Sequence, residues 1–162
     1  MRDASLPVSL LLLALSGTTA SAGTILGRQV EPRADAPSAA ITSSVRSLYV
    51  VHCAGCHGRD GAGTSVGNVP DMRQLGRFLR LDGGREFVIK VPGVMGSGLN
   101  DRQVAEVTNW VLATIAPASV PAGHEPYDAT EVARARAQPL VDVVQARDRL
   151  AAQARSRGVT ID

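Results

Sequence analysis

The sequence predicts an all-α fold on three observations. Apolar side chains recur at helical spacing in several stretches, Ser, Asn and Asp stand where helix N-caps belong, and no stretch of useful length alternates as a strand would. The 162 residues, 44% of them apolar and including 16 glycines and 9 prolines, suffice for one modest domain with tails but not for a second full domain.

The amino terminus reads as an export signal. Arg2 precedes an apolar run over residues 6–15, and Ala20-Ser21-Ala22 fits the small-x-small cleavage rule, so residues 1–22 are expected to be removed and the mature chain to begin at Gly23. That run is well short of the roughly 20 residues a membrane-spanning helix needs, and no stable span is expected after cleavage. Residues 23–41, rich in Ala, Pro, Gly and Ser, read as a flexible leader.

The main domain is expected over residues 42–117. Thr42, Ser43 and Ser44 offer N-caps for a first helix with Val45, Leu48, Tyr49 and Val51 on one side, running directly into Cys53. Gly58, Gly61, Gly63 and Gly67 make the following segment a loop. Met72, Leu75, Phe78 and Leu79 fit a short helix that Gly83-Gly84 ends, and a second short helix covers residues 85–91 until Pro92-Gly93. Asn100, with Gln103 three residues on, opens the clearest helix, striped by Val104, Val107, Trp110, Val111 and Ile115 and closed by Pro117. Residues 118–162 form a linker and a helical extension. There, Asp128 and Glu131 propose a capping box, Pro139 a break, and Leu140, Val143, Val144, Leu150, Ala151 and Ala154 a second amphipathic stretch.

The formal charge is +2, from 17 basic and 15 acidic residues with no Lys/Arg block, which argues against nucleic acid as a partner. Aromatic residues are only 3% of the chain, sparse for a domain that must fill its own core. A large embedded cofactor would relieve that shortage, and the apoprotein is expected to be poorly folded.

Cys53-Ala54-Gly55-Cys56-His57 is the spacing that attaches a c-type haem. Two cysteines three apart reach two vinyl groups on one side of the porphyrin, and the next residue presents its imidazole to the iron. A dithiol redox pair would want a βαβ setting, which the sequence does not offer. A structural zinc site would need four ligands and would have to recruit His52 or His124. A disulfide between Cys53 and Cys56 would close a tiny, strained loop.

Residues 45–117 resemble a class I monohaem cytochrome c of the bacterial type. Tyr49 four residues before Cys53, Cys56-His57-Gly58, the following Asp60-Gly61-Ala62-Gly63, and Pro70 thirteen residues after His57 carry the resemblance. It implies that the carbonyl of Pro70 accepts a hydrogen bond from the free nitrogen of His57, and that Trp110 on the last helix of the domain packs where the first and last helices cross. It also implies a methionine sulfur as sixth ligand in the loop before that helix. Met95 stands there, followed by Gly96 where the family commonly has proline. Met72 reads as a core residue, His124 as a linker histidine and His52 as an exposed residue of the first helix.

The resemblance implies one covalent haem c with His57 and Met95 on the iron, one-electron transfer in the periplasm, no catalytic residue, and redox partner proteins: a dehydrogenase as donor, and an oxidase or another cytochrome as acceptor. The chain would be a free carrier or the cytochrome subunit of a dehydrogenase. The alternative is a haem enzyme or gas or redox sensor with an open or displaceable sixth site. In residues 45–116 eight basic residues face six acidic ones, and Arg73, Arg77, Arg80 and Arg85 offer partners for haem propionates, a steering surface, or a solvated helix face. The apolar stripe of the tail is either an attachment surface or a face packed on its own domain.

Overall fold

Helix α1, Ser38–His52, starts four residues before the expected Thr42 and delivers the chain to the Cys53 turn. The computed structural model describes residues 38–161, all within one compact unit, so the expected signal peptide and residues 23–37 of the leader lie outside the described residues. Among the described residues there are seven α-helices, two 3₁₀ segments and no strand, in keeping with the all-α reading; an isolated bridge joins Thr64 and Val69.

Helix α2, Ala54–His57, is a single turn, and residues 72–80 form a 3₁₀ segment rather than an α-helix, capped by the Asp71 carboxylate on the Arg73 N–H. The glycine pair permits this tight geometry, because any Cβ on Gly84 would run into the Phe78 carbonyl. Helix α3 spans Gly84–Lys90, and the expected loop around Met95 contains a single helical turn, α4, Pro92–Met95, started by a proline at its first position. Helix α5, Asp101–Thr114, opens with the complete capping box of Asn100 and Gln103. A short 3₁₀ turn, Pro117–Ser119, follows, then α6, Ala129–Arg136, and α7, Val143–Ser156.

Only half of the expected second capping box exists. Asp128 accepts from the Glu131 N–H, but the Glu131 carboxylate is taken by Arg85 in a two-pronged ion pair at 2.7–2.8 Å. Arg85 also donates to the Glu125 carbonyl and lies over the Tyr127 ring, 4.1 Å from its centre. A guanidinium serves here because its planar fork grips a carboxylate while its face stacks on an aromatic ring. Tyr127 is buried; its N–H donates to the Asn109 side-chain oxygen, the Asn109 amide donates to the Tyr127 carbonyl, and its hydroxyl donates to the Arg85 carbonyl.

The core has two parts. In one, α1 crosses α5 with Tyr49 and Trp110 in contact, ring centres 5.2 Å apart, and α6 adds Val132 and Ala135. In the other, Leu150 and Ala154 of α7 pack on Phe78, Leu81, Phe87 and Val88. The two phenylalanines stack at 5.4 Å. Both Phe and both Tyr of the sequence are thus buried, and its one Trp packs against the core. Of the two fates open to the tail's apolar stripe, packing on its own domain is the one adopted, although Val144 stays exposed.

The linker is ordered where it crosses the 3₁₀ segment. The buried Ser119 hydroxyl accepts from the Gly76 N–H at 3.0 Å, and a Cβ on Gly76 would come within 2.6 Å of the backbone of residues 119 and 120. Gly76→Ala is therefore expected to cost about 1–3 kcal/mol in denaturant melting, whereas Gly93→Ala, with open space around its Cβ, stays within about 0.5 kcal/mol of the parent.

His124 supplies a pH dependence. Its Nδ1 accepts from Arg85, and burial, then the Arg85 charge, holds its pKa below the ordinary histidine value. The unfolded chain therefore takes up a proton that the folded chain resists. Stability is expected to be full above pH of about 6.5 and to fall as pH drops toward the depressed folded value. In chemical melts from pH 7.5 to 5 the slope flattens in His124→Gln; an unchanged slope would assign it to other groups.

Candidate functional site

The Cys53 turn follows directly on α1. The Cys53 N–H donates to the Tyr49 carbonyl at 2.9 Å, and the Cys53 carbonyl accepts from the N–H groups of Cys56 (3.2 Å) and His57 (3.0 Å). This helical turn puts the two cysteines on one side, three residues apart. Both thiols are free; Cys53 is half-buried and Cys56 exposed, and burial pushes the Cys53 thiol up. The Tyr49 hydroxyl donates to the Gly58 carbonyl at 2.6 Å and fastens the end of the turn to α1.

His57 is held from below by a loop built for the purpose. Its Nδ1 lies 3.1 Å from the Pro70 carbonyl oxygen, which only accepts, so Nδ1 carries the proton and Nε2 is left with its lone pair free. The carbonyl is positioned by the paired Thr64 and Val69 backbones (3.0 and 3.1 Å), by the Gly63 N–H donating to the His57 carbonyl, and by the Met72 N–H donating to the Gly61 carbonyl at 2.7 Å. Gly63 has φ +71°, and a Cβ there would approach the Pro70 oxygen to 2.7 Å, so the loop closes under His57 because this position is glycine.

His57 and both cysteines border a cavity of about 390 Å³, within the range of cofactor sites. Its walls are Met72, Leu75 and Phe78 of the 3₁₀ segment, Phe87, Val88 and Val91 at α3, Val94 at α4, Val104, Val107 and Val111 of α5, and Val143 of α7. No buried side-chain nitrogen or oxygen among the described residues lacks a hydrogen-bond partner, so the lining makes no unmet polar demand on an occupant. Among the described residues no three His, Cys, Asp or Glu side chains gather as a metal site, so the donor set for structural zinc is not assembled.

The structure thus brings together Cys53, Cys56, His57 and Pro70. Met95 closes α4, partly buried; its neighbours Val94 and Ser97 line the cavity, whereas Met72 does so with its own side chain's residue in the wall. His52 is exposed, as expected, but it also borders the cavity and its Nδ1 lies 3.0 Å from the Ser97 carbonyl. Of the four arginines, Arg73 pairs with Asp71, Arg77 donates to the Thr160 carbonyl and Arg85 is engaged by Glu131. The arginine that does border the cavity is Arg147 of α7, near the Phe78 ring. Sequence reading missed it and Tyr127, because neither lies in the motif-bearing stretch; the amphipathic stripe of the tail was the signal that its helix packs inward.

No protein-family profile matches the chain. Two curated sequences do, both cytochrome c-552 of Thermus thermophilus, each 31% identical over 106 residues. The match covers 54% of this chain and 81% and 72% of the two relatives. With that identity over most of a relative's length, and an all-helical fold around an apolar cavity edged by Cys53, Cys56 and His57, the chain belongs to the class I cytochrome c family.

Proposed function

We propose that this protein is an exported, periplasmic one-electron carrier with a single haem c bound through Cys53 and Cys56, and with His57 and Met95 as the axial ligands of its iron. The observation that carries the reading is the hydrogen bond from His57 Nδ1 to the Pro70 carbonyl beside an apolar cavity edged by both cysteines. A haem held there by one imidazole and one thioether would supply one-electron chemistry with no site left for a substrate.

The residues of the chain do the rest. Pro70 fixes the ring of His57 and leaves Nε2 free for the metal. Cys53 and Cys56 sit at the rim, the latter exposed, so the edge of the site is within reach of a partner. The valine and phenylalanine walls exclude water and thereby raise the cost of the more highly charged oxidation state. Met95 is favoured over Met72 because the Met72 N–H is tied to Gly61 in the loop that supports His57, while Met95 belongs to a separate segment that borders the cavity through Val94 and Ser97.

Residues 1–22 serve as the export signal, residues 42–117 as the haem domain and residues 118–162 as its extension. No helix among the described residues is long and apolar enough to cross a membrane. Because the extension buries Leu150 and Ala154 against the domain, a free carrier between a dehydrogenase and an oxidase or another cytochrome fits better than a subunit anchored through that stripe. The similarity to cytochrome c-552 of Thermus thermophilus supports this reading.

One observation favours a second reading, a sensor or haem enzyme with an open sixth site: Met95 itself does not border the cavity. Visible spectra of the haem-loaded protein, with and without carbon monoxide, separate the two. A carrier shows the weak far-red band of methionine-bound ferric haem and resists carbon monoxide until Met95→Ala removes the band. Ready binding by the parent, unchanged in Met95→Ala, would establish the open site instead.

A further inference from the structure

Met95 leads into a glycine-flanked turn, residues 96–98, between Val94, packed against the core, and Leu99, buried in it. Gly96 and Gly98 flank Ser97, Gly98 at φ +75°, and neither glycine has a side chain to pack. Ser97 organises the turn locally: its hydroxyl donates to the Val94 carbonyl at 2.8 Å and accepts from the Leu99 N–H. These bonds shape the turn but do not attach it to the rest of the site. The segment is anchored at its far end by Leu99, which is buried in the core and whose carbonyl accepts from Arg136 at 2.9 Å; its glycine-flanked middle is tied to α1 across 45 residues of sequence, from the His52 ring to the Ser97 carbonyl at 3.0 Å.

His52 is the last residue of α1 and directly precedes Cys53, so its backbone is fixed by the same helix that fixes the haem-attachment turn. A carbonyl oxygen only accepts, so His52 Nδ1 carries the proton and donates it. Both His52 and Ser97 border the cavity. The bond therefore joins the rigid side of the site to its glycine-flanked side, at a point two residues from Met95.

Resting on the proposed His57/Met95 ligation, we propose that His52 is a positioning residue that latches the Met95 segment to α1 and holds the methionine against exchange with outside ligands. His52 touches neither attachment cysteine's role nor the ligand itself; it acts through the Ser97 backbone. Its loss should raise the population of the displaced segment by about the worth of one hydrogen bond, roughly fivefold. Because His52 is exposed, removing it leaves no buried group unpaired and the fold is expected to persist.

The test uses haem-loaded parent, His52→Ala, His52→Asn and Met95→Ala, comparing the far-red ferric band, the rate of carbon monoxide binding to the ferrous form, and the melting midpoint. Asparagine places an amide N–H close to the position of the histidine Nδ1, so it tests the bond apart from the ring. The latch is supported if His52→Ala keeps the parent's melting midpoint but binds carbon monoxide roughly fivefold faster, with His52→Asn returning most of the way to the parent. It is overturned if His52→Ala binds at the parent's rate, or if His52→Asn is as fast as His52→Ala. A parent that lacks the far-red band overturns the Met95 reading and the latch together, whereas a parent and Met95→Ala that behave as proposed, beside an unaffected His52→Ala, overturn the latch alone.

Discussion

The hydrogen bond between His57 Nδ1 and the Pro70 carbonyl fixes more of this molecule than its 3.1 Å suggests. To make it, the chain must turn back within thirteen residues, which it does by pairing Thr64 with Val69 and by placing glycine at 63, where no side chain fits against the Pro70 oxygen. Tyr49 ties the same turn to α1, and Tyr49 in turn packs against Trp110 of α5. The loop that sets the proton position on His57 is thus tied, through Tyr49, to the crossing of α1 and α5. The free Nε2 of His57 follows from it, and so does the side of the cavity that His57 occupies.

The cavity explains how a chain with so few aromatic residues builds a helical domain. Phe78 and Phe87 stack beside it and line it, while Tyr49 and Tyr127 secure the helices around it. Much of the remaining wall is valine and leucine from five separate elements, shaped to close around an apolar group rather than on each other. This is why α7 matters: Leu150 and Ala154 dock on the phenylalanine pair, and Val143 and Arg147 complete the wall.

The helical class, the Cys53 turn and the long capped helix α5 were legible because each rests on a local signal: period, spacing or a cap three residues from its partner. Pro70 came from resemblance, and the Gly63 approach that delivers it could not be read, since nothing in a glycine's neighbours says which carbonyl it will face. The 3₁₀ character of residues 72–80 was hidden for the same reason, because it depends on the close contact of Gly84 with Phe78 and of Gly76 with Ser119. The partners of the arginine cluster could not be read from sequence, because they come from distant segments: Arg77 meets the Thr160 carbonyl and Arg85 meets Glu131, which prefers that fork to its own cap. The tail was legible as amphipathic helix yet not as part of the core, since a stripe does not name the surface it covers.

The most direct measurement is the intact mass of the protein made in cells that attach haem to exported chains, beside a Cys53→Ala, Cys56→Ala variant. The expected mass is that of a chain beginning at Gly23 plus one haem, with the haem retained through acid denaturation and absent from the double variant. A mass equal to the polypeptide alone, or a haem that leaves on denaturation, would contradict covalent attachment at this turn and with it the function proposed for the cavity.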